Sequence, residues 1–363
     1  MRLDLALSSK EVLCGHKYGR GDMKKYSKFL FLLVLILVFG YPNGTGIYCS
    51  QKDATNGLFS ISNDTGQLLV CSFNIQFLGS SKSRDNKALA SILKDYDIVV
   101  IQELVAPPYS GTFPDGKNYV PDAEAAAFFD QMKSLGFKYV LSEEDTGPGA
   151  KNHLNSPATE WWVSFYKPET VEAADDLPSG FLSKDRTNND DYERVPHAFS
   201  FRTTDEKLDF VLISVHLKPD SSKASKERRK HELSSIASWI EDNNETEKDF
   251  IVLGDMNIEN KAELSDAIPS GYLSLNDECV PTNTNVNSPK PYDHVMYNGE
   301  FTTEIDTDYD FKVINLVKSM KPFWKSSTSA YPGNPYNHNR FRKYYSDHNP
   351  VLFRLTIPDD DDD

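Results

Sequence analysis

Cysteine is scarce, four in 363 residues. That excludes a small disulfide-stapled scaffold, whose stability comes from dense cross-linking. Basic residues are in the minority, 39 Lys and Arg against 54 Asp and Glu, for a formal charge of −15. Such a chain does not grip nucleic acid by bulk positive charge. Acidity leaves room for a site that brings divalent cations to a phosphate, because such sites are themselves acidic. Long apolar runs are absent as well. Residues 29–39, FLFLLVLILVF, make a run of only eleven, where a membrane-spanning helix needs roughly 20. No internal repeat is visible.

That run is preceded by Lys24, Lys25 and Lys28, the composition of a secretory signal peptide beginning at Met23. Gly44 and Gly46 are spaced like a cleavage site. The expectation is an N-terminal extension and signal peptide over residues 1–46 and a secreted or periplasmic protein. A retained membrane anchor is the alternative. Cleavage would remove seven basic and three acidic residues, leaving 32 against 51 and a charge of −19. It would also leave Cys49, Cys71 and Cys279, too few for a disulfide framework. Cys71 sits in an apolar run and reads as a small buried hydrophobe. Residues 47–66 are polar and read as a linker, and 358–363 as a solvated acidic tail.

What is present between them is 39% hydrophobic and 12% aromatic composition over the whole chain, enough for a packed core. Residues 67–74 (QLLVCSFN) and 97–102 (DIVVIQ) read as buried strands, separated by a helix over 85–94 with Asp85 as its N-cap. A Pro- and Gly-rich loop at 106–121 precedes a helix at 122–135 and strands at 137–141 and 161–167. Residues 171–193 are acidic and irregular. Strands at 195–202 and 208–216 pair through the polar turn 203–207. Residues 222–243 carry Leu233, Ile236, Trp239 and Ile240 on one helical face. Short apolar strands follow at 250–254, 293–297 and 350–355. Early alternation and later strand pairs point to one α/β domain with large, partly antiparallel sheets.

Six of these runs begin or end in an acid, amide or histidine: Asn74, Glu103, His216, Asp255 with Asn257, Asp293, and Asp347-His348. Taken singly, Asn74 caps a turn, His216 is a core histidine, and GDMN and SDH are turn sequences. Taken together they make one site, because in α/β folds the strand ends form the ligand crevice. Converging carboxylates and amides suit a hard divalent cation. The two histidines add acid–base capacity near neutral pH.

The ordered set SFNIQFLG, DIVVIQE, SVHLKP, VLGDMN, YDHV and SDHNPV resembles the endonuclease/exonuclease/phosphatase superfamily, in its deoxyribonuclease I-like form, over residues 68–356. The resemblance implies a four-layer α/β sandwich, two packed mixed sheets flanked by helices, spanning 67–357. It implies metal-dependent cleavage of phosphoester bonds, with Mg²⁺ as the cofactor and Mn²⁺ or Ca²⁺ as alternatives. Glu103, Asn74, Asp255 and Asp347 are then the metal residues. His348, oriented by Asp293, is the catalytic histidine on the phosphate, and His216, paired with Glu160, is the second. Asp255 and Asn257 orient the attacking group, and Arg194, Asn257 and Tyr292 bind phosphate.

Departures from the pattern bear on substrate. Val105 and Ala158 stand where deoxyribonuclease I has an arginine and a tyrosine that grip DNA, and Gln76 replaces the acid of abasic-site endonucleases. A DNA surface could be rebuilt from Lys223, Lys226, Arg228, Arg229 and Lys230, and from residues 337–345 (NHNRFRKYY), where Arg340, Arg342 and Lys343 alternate with Phe341, Tyr344 and Tyr345. Acidic residues at 173–191 would oppose it. The implied partner is DNA or another phosphodiester, with no stable protein partner and a monomeric state. The alternatives are a phosphatase or phospholipase C of the same superfamily, which would favour an apolar projection such as Phe323-Trp324, and a catalytically silent adhesion or toxin-type module.

Overall fold

The structure, a computed structural model, describes residues 66–80, 83–309, 311–324 and 336–359. The expected signal segment, the linker up to residue 65 and the last four residues of the acidic tail lie outside the described residues. Two mixed sheets dominate. The first runs, in spatial order, Lys312–Val313, Val351–Thr356, Gln67–Leu78, Ile98–Leu104, Trp161–Tyr166 and Lys138–Leu141. The second has seven strands, ordered Tyr272–Ser274, Asp293–Asn298, Phe250–Asp255, Asp209–His216, His197–Thr203 and Val171–Ala173, with Gly180–Phe181 also pairing His197–Thr203.

Each sheet has one parallel pair at its centre, and the remaining pairs are antiparallel. Gln67–Leu78 runs parallel to Ile98–Leu104 through the helix Asn86–Leu93, and Asp209–His216 runs parallel to Phe250–Asp255 through the helix Lys223–Asn243. Both crossovers are capped as the sequence requires. Asp85 accepts the Ala88 amide and Ser222 accepts the Ser225 amide, satisfying donors that a helix start leaves open.

The central strands are apolar on both faces because both are covered. Leu68, Val70, Ile98 and Val100 point inward against Phe199, Phe210, Leu212, Ile251 and Leu253 of the other sheet. Cys71, Phe73, Val99 and Ile101 point outward beneath Leu89, Leu93, Phe128 and Phe129 of two helices. Val211, Ile213 and Val252 do the same beneath Leu233, Ile236 and Ile240. Helix, sheet, sheet and helix therefore stack as four layers around three apolar clusters, as expected. Continuous hydrophobic strands are the signature of this double coverage. Among the described residues, no helix is long and apolar enough to cross a membrane.

Several segments are more ordered than the sequence reading expects. The stretch 171–193 contributes two short strands to the edge of the second sheet. Lys261–Ala267 and His338–Tyr344 are helices, capped by Asn260 and Asn337. Cys71 is buried and Cys279 half-buried, both as free thiols. One glycine is fixed by contact. Gly254 has φ +140°, and a Cβ there would lie 2.1 Å from the Val215 carbonyl oxygen on the parallel neighbour. Gly254→Ala is expected to lose about 3 kcal/mol through that overlap, a loss urea unfolding would measure.

Candidate active site

Parallel pairing puts the carboxyl ends of four strands at one rim. Asn74 stands opposite Gln102 in the first pair, and His216 opposite Asp255 in the second. Beneath them the buried Gln102 ties the sheets together, donating to Ser214 Oγ at 3.1 Å. The sheet then breaks its regularity. Register slips between Asn74 and Leu78 and again between Ile101 and Leu104. Gln76, Phe77, Glu103 and Asn257 all take positive φ, between 52° and 63°. Such backbone is unfavourable for residues with a Cβ, and bulges of this kind re-aim side chains at strand ends.

Asp255 is the hub. Its Oδ2 lies 3.0 Å from Asn74 Nδ2, 3.6 Å from His216 Nε2 and 3.4 Å from His348 Nε2. Its Oδ1 accepts the Asn257 amide at 3.0 Å, and Asn257 in turn donates from Nδ2 to the Leu217 carbonyl at 3.1 Å. Asn74 also donates to Glu103 Oε1 at 3.0 Å, while its own oxygen accepts the Gln76 amide. With the amide oriented by this network, Asn74 spaces two carboxylates by bonding both. Asp347 is tied in through Gln76, whose Nε2 donates to Oδ2 at 2.7 Å, and through Arg342 at 3.2 Å. An acid at position 76 could not make that bond while ionised.

Two histidine–carboxylate pairs flank the hub. His348 Nδ1 is 2.8 Å from Asp293 Oδ2, and His216 Nδ1 is 3.1 Å from Glu160 Oε1. Glu160 is nearly inaccessible and serves three groups. It also takes Arg194 Nε at 2.7 Å and the Glu103 amide at 2.8 Å. Tyr292 leans over His348 with ring centroids 5.8 Å apart. Burial disfavours a charged His348, yet Asp293 and Asp255 outweigh it and hold the imidazolium well above its ordinary pKa. Burial and Arg194 likewise oppose charge on His216, and Glu160 reverses the balance. Glu160 stays below its usual range because His216 and Arg194 overcome the cost of its burial. Glu103 moves the other way, pushed up by burial against the pull of His216 and raised further by Asp347 and Glu160.

Glu103, His216 and Asp255 bring one ligand atom each to within 4.8 Å of one another, and so do Asp255, Asp293 and His348. A divalent ion fits the first of these ends. The donors are oxygen-rich, Glu103 is crowded by like charge, and the buried Asp347 Oδ1 has no hydrogen-bond partner. Glu103 and Asp255 are the carboxylates at that end that would hold it, with Asp347 close enough for its charge to act on Glu103.

Arg84 and Gln76 are the residues sequence reasoning misses in their structural roles. The buried Arg84 guanidinium donates to the carbonyls of Ile75 and Tyr345, both at 2.5 Å, and to that of Gln76, while Nε pairs with Glu124 at 2.9 Å. It thus clamps the bulge to the segment that carries Asp347 and His348. Its sequence context, a polar turn before a helix, gives no signal of this. Arg84→Met should cost ~3–5 kcal/mol, because Glu124 and three carbonyls lose a buried partner; thermal unfolding would show it.

Of the two segments expected to meet DNA, the helix start is mostly engaged within the chain, while Arg340, Arg342 and Lys343 of the second stand exposed. Arg229 is fully buried on Glu263, Lys226 pairs with Glu263 at 3.3 Å, Lys230 with Asp266 at 2.9 Å, and Arg228 bonds the carbonyls of Asn189 and Asp190. The basic helix start is largely a structural brace against the acids around it. Phe341, Tyr344 and Tyr345 are buried as well, since helical spacing turns them into the core. Trp324 packs on Phe341, so of the candidate apolar projection only Phe323 stands 36% exposed.

The family model of the endonuclease/exonuclease/phosphatase family matches residues 71–348, and the chain belongs to that family. Its fold is similar to the human Nocturnin catalytic domain with bound sulfate, at 17% identity and TM-score 0.51, over 81% of this chain and 94% of that one. It is also similar to an endonuclease/exonuclease/phosphatase family protein from Bacteroides thetaiotaomicron, at 14% identity and TM-score 0.50, over 80% of this chain and 98% of that one. A search of curated proteins returns no match. The family and the fold together make this a deoxyribonuclease I-like hydrolase of phosphoester bonds.

Proposed function

We propose that the protein is a divalent-metal-dependent phosphodiesterase acting on nucleic acid. The observation that carries this is the placing of two imidazole–carboxylate pairs on either side of one aspartate, Asp255. One phosphoryl group bound there has a histidine for each of two oxygens. Phosphoester hydrolysis presents that need, having a non-bridging oxygen to neutralise and an ester oxygen to protonate as it leaves. The reading includes export, on the strength of the basic, apolar start of the chain.

His348, kept protonated by Asp293, donates to the non-bridging oxygen and counters charge in the transition state. Asp255, within reach of both histidines, accepts the proton of the attacking water. His216, kept charged by Glu160, delivers a proton to the departing oxygen. Arg194 braces Glu160 and adds positive charge beside the cleft. Asn257 and Tyr292 border the phosphate position. Glu103, Asp255 and Asp347 would hold a divalent ion, which when bound would supply charge neutralisation and a lower pKa for water.

Cleavage of plasmid and single-stranded DNA in Mg²⁺, with and without EDTA, tests the reading. The expected result is nicking or shortening that EDTA abolishes and excess Mg²⁺ restores. Release of inorganic phosphate or phosphocholine from monoesters or lipids, with DNA intact, would move the protein to the phosphatase or phospholipase class.

A further inference from the structure

A cleft of about 230 Å³ opens beside the hub. Half of its lining belongs to the catalytic set. The other half is apolar: Phe77, Val105, Pro157 and Pro219. Phe77 is 37% exposed, although the core beneath it is closed by the fully buried Leu78 and Val105. Its backbone has φ 55°, an outlier for a bulky residue. The conformation is pinned from both sides. The Phe77 amide donates to Glu103 Oε2 at 3.0 Å, and Arg84 holds the two preceding carbonyls. Strain and apolar exposure both cost stability. What the bulge achieves is a rigid aromatic face at the mouth of the catalytic cleft.

Resting on the phosphodiesterase reading, we propose that the Phe77 ring, at the mouth of this cleft, is the stacking platform for one unpaired base next to the phosphate bound inside it, and that the substrate is single-stranded nucleic acid. At the start of the helix Lys223–Asn243, four of the five cations are engaged with acids or carbonyls of the chain, so this helix offers a duplex few free phosphate contacts. Stacking needs no such row of cations and tolerates any base.

The test uses the full chain and three forms of one short oligonucleotide: single-stranded, annealed to its complement, and carrying abasic units in place of its bases. The wild-type enzyme is expected to cut the single strand at least ~10-fold more efficiently than the abasic strand, the scale of one stacked base, and to prefer it to the duplex. Phe77→Ala should collapse the base-to-abasic ratio toward one, chiefly through KM, and Phe77→Trp should restore it. An equal ratio in wild type and Phe77→Ala, or a wild-type preference for duplex, would overturn the inference while leaving the phosphodiesterase reading standing. No cleavage of any of the three in Mg²⁺ would overturn both.

Discussion

His216→Ala and His348→Ala should each lower kcat by ~10²–10⁴, the range of a positioned proton donor or acceptor, with circular dichroism unchanged. Neither ring is a core-filling group. Both sit at the rim, and each is held by a carboxylate on the neighbouring structure, Glu160 for one and Asp293 for the other. The pairing also fixes a pH signature. Protonated His348 and protonated His216 are each present below a raised pKa and lost as pH rises through it, so both contribute to the alkaline limb of the rate profile. Asp293→Asn removes the main charge that holds the proton. The His348 part of its alkaline limb should therefore move to lower pH, while His348→Ala should leave an alkaline limb set by His216 alone. An Asp293→Asn limb moving upward would contradict the assignment. On the acid side a proton on Glu103 competes with the cation, and the burial that raises its pKa makes Mg²⁺ affinity fall as pH drops.

The second large effect is on metal use. Glu103→Gln and Asp255→Asn each delete one of the carboxylates around the candidate ion site. They should raise the Mg²⁺ concentration for half-maximal rate by ~100-fold or more, since even changes behind the direct ligands cost 10–100-fold. Asp255→Asn should also lose rate at saturating Mg²⁺, because the same group accepts the water's proton. Glu103→Gln should recover most of its rate as Mg²⁺ increases. The contrast separates the holder of the ion from the residue that does both tasks.

The fold was legible because its central strands are buried on both faces, which writes them as unbroken apolar runs bounded by polar ends. The same ends carried the candidate site, so Glu103, His216, Asp255 and His348 could be picked out hundreds of positions apart. What the sequence hid was irregular backbone. The positive φ of Gln76, Phe77 and Glu103 follows from a bulge, which no periodicity reports. Arg84 looks like a surface residue of a turn because its partners are carbonyls brought from distant segments. The basic helix misled for the opposite reason. Clustered Lys and Arg look like a phosphate-binding face until the fold sets Glu259, Glu263 and Asp266 against them. Short helices such as Lys261–Ala267 cover barely two turns, too few for an apolar spacing to stand out.

Direct binding of Mn²⁺, followed by the loss of its free-ion electron paramagnetic resonance signal, tests the central claim without reference to any substrate. The account predicts uptake by the wild-type protein that Mg²⁺ competes away and that Asp255→Asn and Glu103→Gln each weaken strongly. Equal Mn²⁺ uptake by the wild type and both variants, with all three folded, would contradict it.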